Sequence, residues 1–137
     1  MLPARAIIFH SLAHARAALT VAQETGAELC LMTAPDAARY AGPDHLKKIC
    51  DLAFTGVEGG ATDTLIDCGE DAGSAMAALR AGWKDIAFSG GAELAAKIAD
   101  MAAQCGARLV ETVPQALDLV DEADPEAACR RWLSPPD

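Results

Sequence analysis

The feature that most constrains the fold is an alternation of short, uninterrupted apolar segments with longer stretches of helical periodicity. Continuous rather than alternating hydrophobicity is typical of strands that are buried on both faces of a sheet. The apolar segments span 5–9, 28–32, 63–67, 85–88 and 108–111. Because a helical segment follows each of them, the pattern predicts an α/β fold with about five parallel strands, either a half TIM barrel or an open flavodoxin-like sheet.

Start and stop signals place the helices between these strands. Ser11 is the predicted N-cap of a helix over 13–25 that Gly26 ends. Pro114 is predicted to open a further helix, because its missing N–H costs nothing in a first turn. The other helices are expected after Asp44 and up to 58–60, over 72–81, after 89–91 with Leu94, Ile98, Met101 and Cys105 as the buried stripe, and from Asp124.

Length and charge limit the architecture and the partners. The chain has 137 residues, whereas a full eight-stranded α/β barrel needs roughly 250, so we expect a single domain over 1–137 with a frayed tail at 134–137. The net charge is 11 − 20 = −9, which disfavours nucleic acid and anionic membrane surfaces as partners. No apolar segment approaches the ~20 residues of a membrane span, and no signal-peptide layout is present.

The five cysteines predict a reducing compartment. Their number is odd, and no two of them form a C-x-x-C pair, so the spacing of a zinc site is absent. We therefore expect reduced, mostly buried thiols, no metal or other cofactor, and a cytoplasmic location.

The fold class predicts where a site would lie, because parallel α/β folds bind ligands at the carboxyl ends of their strands. Residues of chemical interest follow every predicted strand and are expected to share one rim. They are His10, Ser11, His14, Thr33, Asp67, Cys68, Glu70, Asp71, Ser89, Gly90, Gly91 and Glu111.

Asp67 and the segment Ser89-Gly90-Gly91 each allow two interpretations, one functional and one structural. Asp67 ends an apolar strand, so it is either a general acid–base or hydroxyl-binding group, or a carboxylate that accepts backbone N–H bonds in its own loop. Ser89-Gly90-Gly91 is either an anion-binding turn at a helix N-terminus or, as we favour, a tight turn between a strand and a helix.

The cysteine and histidine candidates also allow two interpretations. Cys68 would be a nucleophile if a base such as His10 lay near it, but the adjacent Asp67 raises a thiol pKa, and a buried thiol is favoured. His10 and His14 do not form an i, i+4 pair on one helix, so solvated or hydrogen-bonded histidines are favoured over metal ligands.

Three segments resemble class II, metal-dependent fructose-bisphosphate aldolases over residues 5–113. The stretch AHARAALTVAQETGAELCLMTAPDAARYAGPDHL is similar to the first βα segment of that family. DTLIDCGEDAGSAMAALRAGWKDIAFSGG is similar to its central segment with the patterns L-H-L-D-H-G and D-G-S, and GARLVETV to its V-E-x-E strand. The resemblance implies a barrel-like fold with a pocket at the strand carboxyl ends.

The resemblance also assigns roles to individual positions. Asp67 matches the catalytic Asp, and Glu111 matches the first Glu of V-E-x-E. Cys68 stands at the metal-binding His of the L-H-L-D-H-G pattern, Leu65 replaces its other His, and Ser89 stands at an Asp. Val113 replaces the second, metal-associated Glu. The segments with further metal and phosphate ligands fall outside the resemblance, so a complete aldolase site is not expected.

These observations predict an aldolase-like half barrel without aldolase activity, which binds a small polar or phosphorylated metabolite through Ser11, Thr33, Ser89, Gly90, Gly91 and Glu111. One alternative is a lyase or hydrolase of altered chemistry that uses Asp67, with His10 or His14, and Cys68 as a further candidate. Another is a non-catalytic interaction module. Because a half barrel leaves two sheet edges open, a homodimer is expected.

Overall fold

The computed structural model describes residues 5–57 and 62–134, and it contains six strands and six helices there. The strands are β1 (Arg5–Ile8), β2 (Leu29–Met32), β3 (Thr62–Asp67), β4 (Asp85–Ala87), β5 (Arg108–Val110) and β6 (Gln115–Asp118). The helices are α1 (Leu12–Thr25), α2 (Ala37–Ala41), α3 (Pro43–Phe54), α4 (Ala72–Ala81), α5 (Ala92–Gln104) and α6 (Pro125–Leu133).

The strands form one parallel sheet in the order β5-β4-β3-β2-β1-β6, which does not close into a barrel. The predicted α/β class is therefore confirmed, and each of the five predicted strands is present within a residue or so of its expected bounds. The chain divides into two compact units. Unit one comprises Met1–Met32, Ile49–Asp63 and Pro114–Asp137, and unit two comprises Thr33–Lys48 and Thr64–Val113.

Unit one is built on β1, which pairs with β2 on one side and with β6 on the other. Helix α1 begins as predicted, because the Ser11 hydroxyl accepts a hydrogen bond from the His14 backbone N–H at 3.2 Å. It ends at Gly26, whose φ of 71° is left-handed. Trp132 of α6 contributes to the same unit by donating its indole N–H to the Ala6 carbonyl at 2.9 Å.

The helix predicted from Pro114 is wrong, because residues Gln115–Asp118 form the strand β6 beside β1. Four residues are too few to distinguish a helical from an extended pattern, and pairing with β1 decides the outcome. Pro114 fits both outcomes, since a missing N–H is tolerated just before a strand as well as in a first helical turn. The correction brings Asp118 level with Ile8 at the carboxyl end of β1.

Unit two contains β4 and β5, the larger part of β3, and helices α2, α4 and α5. Two boundaries differ from the sequence prediction. Helix α2 lies in a stretch for which the sequence predicted no helix, and α3 begins at Pro43, so that Asp44 lies in its first turn instead of capping it. The buried Trp83 stabilises this region by donating its indole N–H to the Pro43 carbonyl at 3.1 Å.

The predicted buried stripe of α5 is wrong except at Ile98. Ile98 is 2% exposed and Ala102 is fully buried, whereas Leu94 is 40% and Met101 38% exposed. Cys105 is also exposed. Periodicity identifies an apolar face, but it does not show which neighbours cover that face. The buried residues of α5 are instead Ile98 and Ala102. The predicted stop at 58–60 and the tail beyond Ser134 lie outside the described residues.

We expect Ile98→Ala to lower the free energy of unfolding by about 2–5 kcal/mol, as for other large-to-small changes in a core. Leu94→Ala is the matched control on the same helix, and it should change that free energy by no more than about 0.5–1 kcal/mol, as for other surface positions. Urea unfolding followed by circular dichroism measures both. Equal losses for the two variants would contradict the observed orientation of α5.

Candidate functional site

Asp67 ends β3 and holds two loop segments through one carboxylate oxygen. Its Oδ1 accepts hydrogen bonds from the backbone N–H of Gly69 at 2.8 Å and of Asp36 at 3.0 Å. Within the described parts of the chain, no hydrogen bond is found at Oδ2. The structure therefore contains the loop-capping arrangement that the sequence suggested, and it leaves the second oxygen of Asp67 for another partner.

Thr33 and Cys68, the neighbours of Asp67 in space and in sequence, are both fully buried. The Thr33 hydroxyl accepts a hydrogen bond from the Asp67 backbone N–H at 2.9 Å, so Thr33 positions Asp67. Burial, followed by the charges of Asp67, Asp71 and Asp36, raises the pKa of the Cys68 thiol to about 12. At neutral pH this thiol stays protonated, which argues against thiolate chemistry.

Asp67, Ser89 and Glu111 line one small cavity at the carboxyl ends of β3, β4 and β5. Its volume is about 90 Å³, well below the roughly 300–1,000 Å³ of a typical small-molecule pocket. The rest of its lining is apolar and consists of Ala87, Phe88, Val110 and Val113. The described lining contains no Lys, Arg or His. Two carboxylates and a hydroxyl there offer hydrogen-bond acceptors and repel anions.

The glycines near this cavity have steric roles. A Cβ on Gly90 would lie 2.6 Å from the Phe88 ring and 2.8 Å from the Glu70 carbonyl oxygen, so close packing requires glycine there. Gly69 has a φ of 56°, and a Cβ on it would collide with the Asp36 carboxylate. Gly91 caps the start of α5 with a φ of 59°. Neither Gly90 nor Gly91 belongs to the described lining of the cavity.

A second, more open cavity of about 450 Å³ lies beside the loop that Asp67 holds. Its lining residues are Asp36, Arg39, Gly69, Glu70 and Asp71. The Ser74 hydroxyl donates a hydrogen bond to Asp71 at 2.6 Å, and this bond is the main cause of a lowered pKa for the Asp71 carboxyl. Asp71 therefore stays ionised and forms part of a fixed acidic surface.

His10, Ser11 and His14 belong to unit one, where a further acidic residue joins them. His10 Nε2 lies 2.6 Å from Asp118 Oδ1, and the His10 backbone N–H donates to His14 Nδ1 at 3.0 Å. The Val120 backbone N–H also donates to Asp118 Oδ1. When His10 is neutral and donates from Nε2, its Nδ1 is an acceptor. This arrangement suits a histidine that accepts and returns a proton.

Asp118 is the residue that sequence reasoning missed. The helix predicted from Pro114 would include Asp118, whereas the structure places it at the end of strand β6, opposite Ile8 of β1. An interpretation of residues 115–118 as a short strand would have identified it, because an Asp at the carboxyl end of a parallel strand belongs to the rim where ligands bind.

Cys68 and Leu65, which the resemblance to aldolases would align with histidines, do not fit a metal ion. Leu65 has no donor atom and is buried, and the Cys68 thiol is buried and protonated. In the described part of the chain, no three His, Cys, Asp or Glu side chains are grouped so that they could hold a metal ion. Of the helices in residues 5–57 and 62–134, none is long and apolar enough to cross a membrane.

Comparison with protein-family models and with curated protein sequences finds no match to this chain.

We expect Asp67→Ala to lower the free energy of unfolding by about 2 kcal/mol or more, because two partly buried N–H groups lose their acceptor. Asp67→Asn keeps an amide oxygen in the place of Oδ1, so it should cost less than about 1 kcal/mol. Chemical unfolding measures both variants. If Asp67→Asn is as destabilising as Asp67→Ala, the negative charge rather than the hydrogen bonding holds the loop.

We expect His14 to make the protein less stable as the pH falls. Burial lowers the pKa of His14 below its ordinary value of 6.5, and His10 adds to this effect while Asp118 opposes it. As the pH falls through 6.5, His14 therefore binds a proton in the unfolded chain before it does so in the folded chain, which lowers the free energy of unfolding. Above that pH, His14 is neutral in both states and this loss of stability is absent.

The measurement is the difference between melting temperatures at pH 5 and pH 7.5. His14→Asn retains an acceptor for the His10 N–H but does not titrate, so it should reduce this difference. His45→Asn, at an exposed histidine of α3, is the matched control and should leave it unchanged. An unchanged pH dependence in His14→Asn would contradict the stated effect of burial.

Proposed function

We propose that this protein binds a small hydroxylated or amine-bearing metabolite at the carboxyl ends of β3, β4 and β5, without aldolase chemistry. The observation that carries the proposal is the cavity lined by Asp67, Ser89 and Glu111. Oδ2 of Asp67 and the carboxylate of Glu111 would accept hydrogen bonds from hydroxyl or ammonium groups. The Ser89 hydroxyl can both donate and accept.

The charge and the volume of the cavity favour some of the ligands that the sequence suggested over others. An acidic lining without a described Lys, Arg or His favours an uncharged or cationic ligand over a phosphorylated one. A cavity of about 90 Å³ accepts only a very small molecule or one end of a larger one. The apolar side chains of Phe88 and Val110 would contact the carbon atoms of such a ligand.

We also propose a cytoplasmic location, which the state of the buried thiols supports. Burial raises the pKa of Cys129 to about 11 and that of Cys68 to about 12. Cys68 and Cys129 also form no disulfide, and thiols without disulfides are typical of proteins kept in a reducing compartment.

The second candidate function is an enzyme that transfers a proton through His10. The supporting observation is the 2.6 Å contact between His10 Nε2 and Asp118 Oδ1, which would orient the imidazole ring. Such an enzyme would be a lyase or hydrolase of altered chemistry. It would depend on Asp118, a residue outside the cavity of unit two.

Two matched pairs of probes test the proposed function: glycerol with glycerol phosphate, and ethanolamine with its phosphate ester. We expect glycerol or ethanolamine to raise the melting temperature at millimolar concentrations, and the phosphate esters to have less effect. Glu111→Gln and Asp67→Asn should weaken binding about 10-fold or more, since hydrogen bonds to charged groups contribute roughly 1.5–3 kcal/mol.

The control is Glu28→Gln, which removes the same charge at an exposed position of unit one. Stronger binding of the phosphate esters, or equal effects of Glu111→Gln and Glu28→Gln, would contradict the proposal. The same samples, followed by proton NMR over hours, distinguish the two candidates. A probe that is consumed by the unsubstituted protein but not by Asp118→Asn would favour the enzyme.

A further inference from the structure

An apolar groove of about 480 Å³ runs between α5 and the edge strand β5 in unit two. One wall of this groove is a row of five alanines on α5, and the other includes Leu109 and Val110 of β5. The alanines are Ala92, Ala95, Ala96, Ala99 and Ala103. Parallel sheets are normally covered by other elements, so an apolar groove beside an edge strand indicates a surface that requires a cover.

The edge of β5 also has backbone groups available for pairing. Strand β5 ends the sheet order, and among the described strands it pairs with β4 alone. The Arg108 N–H donates to the Lys84 carbonyl at 2.8 Å, which fixes the side of β5 that faces β4. Because alternate residues of a parallel strand bond to the same neighbour, the N–H and C=O of Leu109 point toward the open edge.

We propose that a second copy of this chain covers the groove in a twofold dimer, with the two β5 strands antiparallel and the two α5 helices side by side. In a twofold dimer, the same surface patch of both copies is in contact, and the two patches run in opposite directions. The occupant must therefore match the groove when the groove is reversed, and four of the five alanines and the charges beside them have this property.

Four of the five alanines are symmetrical about the midpoint of the row, whereas Ala95 lies opposite Asp100. In an antiparallel pair centred between Lys97 and Ile98, Ala96 of one copy lies opposite Ala99 of the other, and Ala92 lies opposite Ala103. At 3.6 residues per turn, the row lies roughly a quarter turn from the face that buries Ile98. It lines the groove beside the edge strand β5, where small side chains allow two helices to approach to about 8 Å.

The charges on the exposed flank of α5 are complementary in the same arrangement. Glu93, Lys97 and Asp100 follow one another at helical spacing beside the alanine row. The twofold axis places Lys97 of each copy near Asp100 of the other, which gives two opposite-charge pairs. An overall net charge of −9 disfavours self-association. This groove is distinguished by its balance of charge, because its lining has one positive and one negative residue, Arg108 and Glu111, and is otherwise apolar.

The dimer would also affect the ligand cavity, a consequence that rests on the proposed function. The groove and the cavity share Phe88, Val110 and Glu111. A second copy in the groove would contact residues that line the cavity, so the ligand and the partner should influence each other's affinity by equal factors. The dimer itself is measured without ligand, so its failure would leave the proposed function standing.

Sedimentation velocity over a wide concentration range tests the dimer. We expect the unsubstituted chain to dimerise, and Ala99→Glu to weaken dimerisation at least 10-fold, because two unpaired carboxylates would be buried in the interface. Ala13→Glu adds the same charge at an exposed alanine of α1 in unit one and should leave dimerisation unchanged. A monomer at all concentrations, or equal dimerisation of Ala99→Glu and Ala13→Glu, would overturn the proposal.

A second measurement does not depend on the folding of any variant. Amide hydrogen exchange of the unsubstituted chain should slow at Leu109 as the concentration rises, because its N–H would donate across the edge to the second copy. Strand β6, which among the described strands pairs with β1 alone, is the internal control. Slowing at β6 instead of β5 would assign the dimer to the other edge and would overturn the proposal.

Discussion

The carboxylate of Asp67 joins the two loops on which the candidate site depends. Its Oδ1 accepts one hydrogen bond from the backbone N–H of Asp36 and one from the backbone N–H of Gly69. The backbone N–H of Asp67 itself donates a hydrogen bond to the Thr33 hydroxyl. Partly buried N–H groups need acceptors, so this arrangement fixes Asp67 before any ligand arrives. The structural and functional interpretations of Asp67 thus involve different oxygens of the same carboxylate.

The candidate site consists of this fixed carboxylate and the residues that follow the neighbouring parallel strands. Because β3, β4 and β5 run side by side in one direction, Ser89 and Glu111 lie with Asp67 around the same small cavity. Gly90 is packed against Phe88 and the Glu70 carbonyl, which holds the turn after β4 in place. The acidity of the cavity follows from its lining, and it separates the proposed ligands from the phosphorylated substrates that an aldolase resemblance would imply.

Much of the fold and part of the site are predictable from the sequence for definite physical reasons. Continuous apolar segments identify β1 to β5, left-handed glycines end α1 and α4, and the rule of strand carboxyl ends selects Asp67, Ser89 and Glu111. Strand β6 is not predictable, since four residues without a clear period take their conformation from β1. Asp118 was missed for that reason, and the exposure of Leu94 was missed because periodicity does not show which neighbours cover a helix face.

The most direct test of the proposed site is a map of amide chemical-shift changes during titration with ethanolamine, with its phosphate ester as the comparison. The proposal predicts saturable changes for ethanolamine that are concentrated at Ser89, Val110 and Glu111, with weaker changes for the ester. Changes spread over the acidic surface without saturation, or stronger and localised changes with the ester, would contradict a cavity selective for uncharged or cationic ligands.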